Sequence, residues 1–288
     1  MMITLRKHYP EYLMEATGLG LFMISAVFFT ALFEHPSSPL VQIISDANLR
    51  RALIGVAMGL TAIALIYSPW GKQSGAHLNP ALTLTFFRLG KVKRIDALFY
   101  VVAQFIGGAL GICLATRLLS TEIAHPSVNY VVTQPGSYGA GIAFLAELFI
   151  SFGMMLMVLT VSNHPTLNRF TGIFAGVLIA TYITLEAPLS GMSMNPARTT
   201  ASALFAGLWT DSWVYFTAPL MGMLIASEIY LQRHGQHSIQ CAKLHHYNSK
   251  RCIFRCGYRS PYLNGFSEHN GSVILSDSFN QVRSPRRK

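Results

Sequence analysis

Charged residues are scarce in this sequence of 288 residues. Asp, Glu, Lys and Arg together make up 12% of the chain, whereas apolar residues make up 51%. An average soluble domain has about 25% charged residues. The composition therefore argues against an ordinary soluble protein. It predicts an integral membrane protein that contacts the lipid bilayer and has no nucleic acid partner.

Cysteine is also scarce. Cys113 lies in an apolar run, and Cys241, Cys252 and Cys256 lie near the C-terminal end. This distribution does not match a disulfide framework. Neither a nucleophile–base pair nor a standard group of metal ligands stands out. We therefore expect no enzyme activity, no cofactor and no bound metal ion.

Long apolar runs, in contrast, are abundant. Six of them are long enough to cross a hydrocarbon core of about 30 Å. They cover about residues 12–33, 49–68, 95–119, 140–162, 169–187 and 213–232. Most Lys and Arg residues fall in segments that share one side of this arrangement, together with both chain ends. Because positive residues favour the cytoplasmic side, we predict a multi-pass protein of the cell membrane with both termini in the cytoplasm.

One short motif occurs twice in the chain. Residues 74–81 read Ser-Gly-Ala-His-Leu-Asn-Pro-Ala, and residues 190–197 read Ser-Gly-Met-Ser-Met-Asn-Pro-Ala. Asn is a preferred helix N-cap and Pro a preferred first helical residue, so each copy predicts a helix start. The helices that follow, 80–90 and 196–207, would be roughly 15–18 Å long, about half of a hydrocarbon core. Two half-length helices in matching positions indicate a binding site or pore near the midplane.

The repeat extends beyond this motif. A Gly-xxx-Gly step at 55–59 recurs at 172–176, and Tyr100 matches Tyr215. With three spans in each half, the two motif copies enter the membrane from opposite sides, which makes the repeat an inverted one. We therefore predict an all-α integral membrane fold with six transmembrane helices plus two re-entrant half-helices.

Ionisable residues inside apolar spans need an explanation, because placing a charge in a bilayer is unfavourable. Glu15 and Glu147 occupy equivalent positions in the first helix of each half. They could relay protons, as in a coupled transporter. Alternatively, each carboxylate accepts hydrogen bonds from backbone N–H groups of a re-entrant loop. Such groups need partners within the protein, because the bilayer core offers no water. We favour this second, loop-supporting role.

The loop tips carry the groups expected to line a pore. As N-caps, Asn79 and Asn195 direct their side-chain oxygens to backbone N–H groups and leave their NH₂ groups free. Pro80 and Pro196 begin the half-helices, and Ala81 and Ala197 are small enough for the tips to meet. A water that accepts from both Asn residues can donate only outward, which interrupts a proton chain. The positive ends of the two helix dipoles also repel cations.

The residues before each Asn are predicted to be extended and to present backbone carbonyl groups along the channel. They are Gly75, Ala76 and His77 in the first copy, and Gly191, Met192 and Ser193 in the second. For His77, a packed position at the pore entrance is an equally good interpretation.

Arg198 breaks the symmetry of the repeat, because Leu82 stands at the matching position of the first copy. A fixed positive charge in the first turn of the second half-helix would offer donors to a neutral solute and oppose cations. An arginine that is paired only for structural reasons is the alternative.

Together these features resemble the aquaporin and glycerol-facilitator family, also called major intrinsic proteins. The resemblance covers about residues 10–232 and rests on the motifs at 74–81 and 190–198 and on the two glutamates. It implies a passive channel with one pore per subunit and usually four subunits. It also implies one aquaporin-like domain over residues 1–232, with inverted repeats at about 10–119 and 140–232.

The family's outer constriction is formed by four residues. The resemblance assigns them here to Met58 (or Gly59), Ile183 (or Thr184), Met192 and Arg198. Strict water channels of the family typically have an aromatic residue and a His there. Glycerol facilitators typically have two aromatic residues, and an Asp follows the Arg. This chain has neither pattern, and Thr199 follows Arg198, so the choice of solute stays open.

We predict a passive transmembrane channel, assembled as a homotetramer, for water, with small uncharged solutes such as glycerol as further candidates. The alternative is a pore of the same family that selects glycerol, urea, ammonia or a metalloid hydroxide. A secondary transporter fits less well, because it needs more ionisable groups at mid-membrane depth. A structural membrane protein also fits less well, because both motifs are intact.

The C-terminal segment, residues 233–288, lacks sustained apolar periodicity and ends Arg-Ser-Pro-Arg-Arg-Lys. We predict a basic, solvated, disordered cytoplasmic tail. Contact with anionic lipid is a second interpretation. Zinc binding is a third, although the spacing of the candidate ligands matches no standard zinc finger. These ligands are His234, His237, Cys241, His245, His246, Cys252 and Cys256.

Overall fold

The computed structural model describes residues 2–258, and the regular secondary structure of these residues is entirely helical. Six helices are long and apolar enough to cross a membrane. They are α1 (Met2–Glu34), α3 (Ala47–Tyr67), α6 (Arg94–Leu119), α7 (Gly139–Ser162), α8 (Thr171–Leu185, after the 3-10 turn Asn168–Phe170) and α11 (Trp213–His234).

The remaining described helices are short. They are α2 (Pro39–Ile43), α4 (Pro69–Ser74), α5 (Pro80–Arg88), α9 (Ala187–Ser190) and α10 (Pro196–Ala206), with further 3-10 turns at Asn129–Val131 and Gln236–Ser238. The helices α5 and α10 are the two half-length helices that the repeated motif predicts. The structure therefore confirms the predicted fold class.

The first helix is longer than the apolar run that predicts it. It begins at Met2 instead of near residue 12. Hydropathy detects only the part of a helix that crosses the bilayer, and polar residues extend α1 beyond it. Two residues of this part are tied to α6, since His8 Nδ1 and the Tyr12 hydroxyl lie 2.6 and 2.7 Å from Asp96 Oδ1.

The two Gly-xxx-Gly steps bring α3 and α8 into close contact. A Cβ atom built on Gly59 would lie 2.5 Å from the Gly176 carbonyl oxygen, and one built on Gly55 would lie 2.6 Å from the Ala180 carbonyl oxygen. Side chains at these positions would push the helices apart. The glycines therefore set the distance between α3 of the first half and α8 of the second half.

The repeat in the sequence is also a repeat of contacts. The Tyr100 hydroxyl of α6 donates to the Ser74 carbonyl at 2.7 Å, and the Tyr215 hydroxyl of α11 donates to the Ser190 carbonyl at 2.6 Å. Each tyrosine thus secures the residue that opens one motif copy. The matched sequence positions occupy matched structural positions.

The C-terminal segment packs against the bundle at the end that carries Glu11, Gly90 and Asn163, which we call the terminal face. Residues 235–256, named the cap below, lie on this face. The Gln240 N–H donates to Asn163 Oδ1 at 2.7 Å, and the Arg255 N–H donates to the Lys91 carbonyl at 2.9 Å.

A charged pair also holds the cap. Arg251 donates to both carboxylate oxygens of Glu11, at 2.7 and 2.5 Å, and this hydrogen bonding raises the pKa of the Arg251 guanidinium. Leu244 and Phe254 are buried at 5% and 7% exposure. The cap therefore differs from the solvated tail that composition predicts, because its few apolar residues and one ion pair find partners on the channel domain. Residues 259–288 of the predicted tail lie outside the described residues.

Candidate pore and its two loops

Each half-helix begins at an asparagine N-cap. The Asn79 side-chain oxygen accepts a hydrogen bond from the Ala81 N–H at 2.8 Å. The Asn195 oxygen accepts from the N–H groups of Ala197 and Arg198 at 3.1 and 3.2 Å. Pro80 and Pro196 are the first helical residues of α5 and α10, so their missing N–H groups leave no gap in the hydrogen bonding.

The two asparagines also join the loops to each other. Asn79 Nδ2 donates to the Met194 carbonyl at 2.6 Å, and Asn195 Nδ2 donates to the Leu78 carbonyl at 2.7 Å. The sequence predicted that both NH₂ groups are free. In the structure, one hydrogen of each NH₂ group bonds to the opposite loop. An amide nitrogen carries two hydrogens. The second one of each asparagine remains for the cavity that both residues line.

Glu15 supports the first loop from the buried face of α1. Its carboxylate accepts from the N–H groups of His77 and Leu78 at 3.0 and 2.6 Å, and from the Ser74 hydroxyl at 2.8 Å. The Gln104 amide adds a donor at 2.8 Å. A buried carboxylate with this many donors serves as a fixed acceptor for loop backbone that has no water available.

Glu147 of α7 makes the matching contacts in the second loop. It accepts from the N–H groups of Ser193 and Met194 at 2.6 and 2.7 Å, and from the Ser190 hydroxyl at 2.7 Å. This glutamate is fully buried, like its counterpart. Both carboxylates therefore face loop backbone.

The sequence predicted extended loop backbone, but two residues of each loop adopt a different conformation. Ala76, Leu78, Met192 and Met194 have φ values of 55°, 49°, 50° and 52°, in the left-handed region. In each loop, two consecutive N–H groups reach one carboxylate. Left-handed backbone is unfavourable by roughly 1–3 kcal/mol per non-glycine residue. The hydrogen bonds to the two glutamates offset that strain.

A cavity of about 530 Å³ runs between the loops. It reaches from Glu34 and Arg51 at one end to His77 and Leu244 at the terminal face. The four residues assigned to the constriction, Met58, Ile183, Met192 and Arg198, all line it, as do Gly191 and Ser193.

The two alternative constriction residues are used in helix packing instead. Gly59 faces the Gly176 carbonyl, and the Thr184 hydroxyl donates to the Ala180 carbonyl at 2.7 Å. Neither residue is among those that line the cavity. The geometry therefore favours Met58 and Ile183 as the wall residues.

Arg198 lines the cavity and carries one unsatisfied donor atom. Its Nη1 atom is buried and has no hydrogen-bond partner within residues 2–258. The next residue, Thr199, is tied in place, because its hydroxyl lies 2.8 Å from the Thr133 hydroxyl and 2.6 Å from the Ser193 hydroxyl. The first turn of α10 is thus held by Thr199, whereas no described residue accepts a hydrogen bond from the Nη1 atom of Arg198.

His77 is packed and hydrogen-bonded at both ring nitrogens. Nδ1 lies 3.0 Å from the Thr83 hydroxyl, and Nε2 lies 2.8 Å from the Ala242 carbonyl of the cap. The ring stacks between Phe86 and Phe254, with centroids 5.3 Å away on each side. The histidine borders the cavity, but its polar atoms serve the contact between loop and cap.

Sequence reasoning missed Leu244 of the cap, which closes the lining at the terminal face. Because the sequence predicted a solvated tail, none of the tail residues was expected to line a pore. Arg51 was also missed. Its guanidinium donates to the Thr184 carbonyl at 2.9 Å and to Asn48 Oδ1 at 2.8 Å near the other mouth.

Most of the cavity wall is apolar, and polar side chains occur at the loop tips and toward both ends. The two asparagines and Arg198 supply donors, whereas Leu19, Phe22 and Val158 are typical of the remaining wall.

Comparisons with known proteins agree with this geometry. The family model for major intrinsic proteins matches residues 3–230. The protein named probable aquaporin AqpM of Archaeoglobus fulgidus is 35% identical over 148 residues, which are 51% of this chain and 59% of that protein. Glycerol uptake facilitator protein-like 6 of Lactiplantibacillus plantarum is 32% identical over 147 residues, which are 51% of this chain and 67% of the relative. The matched segments thus span only part of the length of these relatives.

A solved structure shares the fold. The aquaglyceroporin from Plasmodium falciparum superposes with a TM-score of 0.64 and 21% sequence identity, over 77% of this chain and 95% of that one. At this identity the likeness concerns the arrangement of helices and loops.

Proposed function

Because this chain belongs to the major intrinsic protein family, we propose that it forms a passive channel for water and small uncharged solutes. The observation that carries the proposal is one continuous cavity that both asparagines and Arg198 line. A solute that passes meets donors from Asn79 and Asn195 at the joined loop tips and from Arg198 nearby.

In this proposal the loop tips exclude protons and cations. A water between Asn79 and Asn195 accepts from both, so its own hydrogens point outward along the pore. The positive ends of the α5 and α10 dipoles add an electrostatic barrier to cations. Met58, Ile183, Met192 and Arg198 form the constriction that selects the solute.

The chain spans a membrane by the length and composition of its six helices. We propose that this is the cell membrane, with the terminal face in the cytoplasm, because Lys and Arg residues concentrate in the segments assigned to that side. A homotetramer with one pore in each subunit is the proposed assembly, by analogy with the family.

A second candidate is a pore that prefers glycerol, urea, ammonia or a metalloid hydroxide. It is favoured by the apolar side chains of Met58, Ile183 and Met192 around Arg198, since they supply no second donor for water. Methionine side chains are flexible and adapt to solutes of different shape.

Stopped-flow light scattering on reconstituted vesicles tests both candidates. We expect faster shrinkage in a sucrose gradient than for empty vesicles, and measurable uptake in a glycerol gradient. Ile183→Trp should block both fluxes, because residue 183 lines the cavity. Ile173→Trp is the matched control, since Ile173 lies on the same helix and is 43% exposed on its outside. Water rates equal to those of empty vesicles would refute the channel. Fast water flux with complete glycerol exclusion would refute the glycerol permeability.

A further inference from the structure

Four metal-ligating side chains of the cap converge away from the pore. They are Cys241, His246, Cys252 and Cys256, and their ligand atoms all lie within 4.8 Å of one another. The Cys241 and Cys252 sulfur atoms are 3.5 Å apart, and the Cys256 sulfur lies 3.0 Å from His246 Nε2. Cys241 is buried and the other three are partly buried.

We propose that these four residues bind a zinc ion that keeps the cap folded on the terminal face. A tetrahedral zinc ion with Zn–S bonds of about 2.3 Å and a Zn–N bond of about 2.0 Å spaces its ligand atoms roughly 3.5–3.8 Å apart. The observed separations bracket this range. Small side-chain rotations would bring all four atoms onto one ion.

The ligand set identifies the class of metal. Three thiolates and one imidazole form a soft, closed set that suits zinc, whereas calcium and magnesium need oxygen ligands. The cluster contains no carboxylate. Four protein ligands leave no open coordination position, which is typical of a structural zinc site.

A buried cationic side chain lies beside the cluster. Lys243 is buried at 2% exposure and interacts electrostatically with the cysteines. Three thiolates and a divalent cation carry one net negative charge, which the Lys243 ammonium would neutralise.

Lys243 also fixes the chain that leads to a ligand. Its ammonium donates to the Lys250 and Arg251 carbonyls at 3.2 and 2.7 Å, directly before Cys252. The segment between His246 and Cys252 is therefore held in place next to Cys252. These bonds reduce the conformational freedom that metal binding would otherwise have to remove.

The ligands alternate along the chain with the residues that contact the pore loops. Between Cys241 and His246, the Leu244 N–H donates to the Gly75 carbonyl at 3.1 Å. Between Cys252 and Cys256, Phe254 stacks on His77. A segment this short has too small a core to stay folded alone, so small structures commonly use a metal. The zinc would therefore fix both contact points at once.

The experiment measures zinc in full-length protein that is purified in detergent with a reductant and without chelators. Inductively coupled plasma mass spectrometry should find about one zinc ion per chain. Cys252→Ser and His246→Ala should each reduce this severalfold. Cys113→Ser and His245→Ala are the matched controls and should retain the metal, because neither residue belongs to the cluster.

A second measurement keeps the proposal testable if the variants fold poorly. Wild-type protein that has been stripped of metal and titrated with Co²⁺ should show the thiolate-to-cobalt absorption of a tetrahedral site, and added Zn²⁺ should abolish it. Reduced protein that holds no zinc and gives no such absorption would overturn the proposal. Equal zinc in wild type and Cys252→Ser would also overturn it, as would a Cys241–Cys252 disulfide in metal-free native protein.

Discussion

The loop that ends at Asn79 and the loop that ends at Asn195 are held by the same kinds of contact. In each, a buried glutamate accepts two backbone N–H groups and a serine hydroxyl, and a tyrosine hydroxyl donates to the serine carbonyl. Each asparagine then bridges to a carbonyl of the other loop. Apart from the bonds between the serine hydroxyls and the glutamates, the shared contacts all involve backbone groups of the loops.

The differences between the loops lie where each meets its own end of the pore. In the first loop, His77 contacts the cap through the Ala242 carbonyl. In the second, Ser193 takes the matching position and Arg198 keeps an unpartnered donor, measured over the described part of the chain. Shared residues therefore build the loops, and residues without a counterpart give each mouth its own chemistry. Four substitutions, at Glu15, Glu147, Arg198 and Leu244, examine this division.

Removing either glutamate should have the largest effect, because it breaks the shared construction. Glu147→Ala leaves two buried N–H groups without an acceptor, at about 1–3 kcal/mol each. Glu15→Ala should be more damaging, since Gln104 also loses one of its two acceptors. We expect lower melting temperatures in detergent, followed by intrinsic fluorescence, together with loss of water flux.

Glu228→Ala is the control for these glutamate variants. Its carboxylate pairs with Arg88 at 2.8 Å, but both side chains are substantially exposed, at 42% and 57%. Such a pair contributes about 0–1 kcal/mol. Melting temperatures that are equal for Glu147→Ala and Glu228→Ala would refute the loop-supporting role.

Arg198→Ala should have an intermediate effect that is confined to ion exclusion. A fixed unit charge about 8 Å from a passing cation opposes it by roughly 2 kcal/mol at an effective dielectric constant of 20. We therefore expect cation or proton leak to rise roughly tenfold or more, with little loss of water flux. Voltage-clamp recording from cells that express the variant measures this leak.

Arg51→Ala supplies the matched control for Arg198. Arg51 also lines the cavity, but its guanidinium is bound to the Thr184 carbonyl and Asn48, at the end opposite the terminal face. Arg51→Ala should therefore raise the cation or proton leak much less than Arg198→Ala does. If Arg198→Ala leaves the leak unchanged, the half-helix dipoles exclude cations without the arginine.

Leu244→Ala should have the smallest effect, because Leu244 narrows only one side of the mouth at the terminal face. We expect the rate of osmotic shrinkage to rise by less than about twofold, since the pore is still limited elsewhere. Leu118→Ala, whose side chain is 66% exposed outside the cavity, is the control. A lower rate than wild type would show that Leu244 does not obstruct the pore.

The sequence predicted the fold because its signals are local and periodic. Apolar runs predicted the spans, and the Asn-Pro pairs predicted where α5 and α10 begin. The recurrence of Tyr100 as Tyr215 predicted that the two tyrosines occupy matched positions. Their hydrogen bonds to the Ser74 and Ser190 carbonyls match in the same way. The roles of Met58, Ile183, Met192 and Arg198 in solute choice remain predictions.

The cap could not be predicted, because it depends on contacts between residues that are far apart in the chain. Arg251 meets Glu11, and the Ala242 carbonyl meets His77, across more than half of the sequence. The left-handed residues of the loops were missed for a similar reason. Ala76 has no intrinsic preference for that conformation and adopts it where the neighbouring N–H groups reach Glu15.

The carboxylates of Glu15 and Glu147 hold the loops entirely through backbone N–H and serine groups. The loops are thus held without any hydrogen bond from the side chains of Met58 and Met192. A substitution that preserves the volume of either side chain should therefore change the cavity wall and leave the loop scaffold in place. Such point changes would give descendants of this chain a route to a different solute within the same fold.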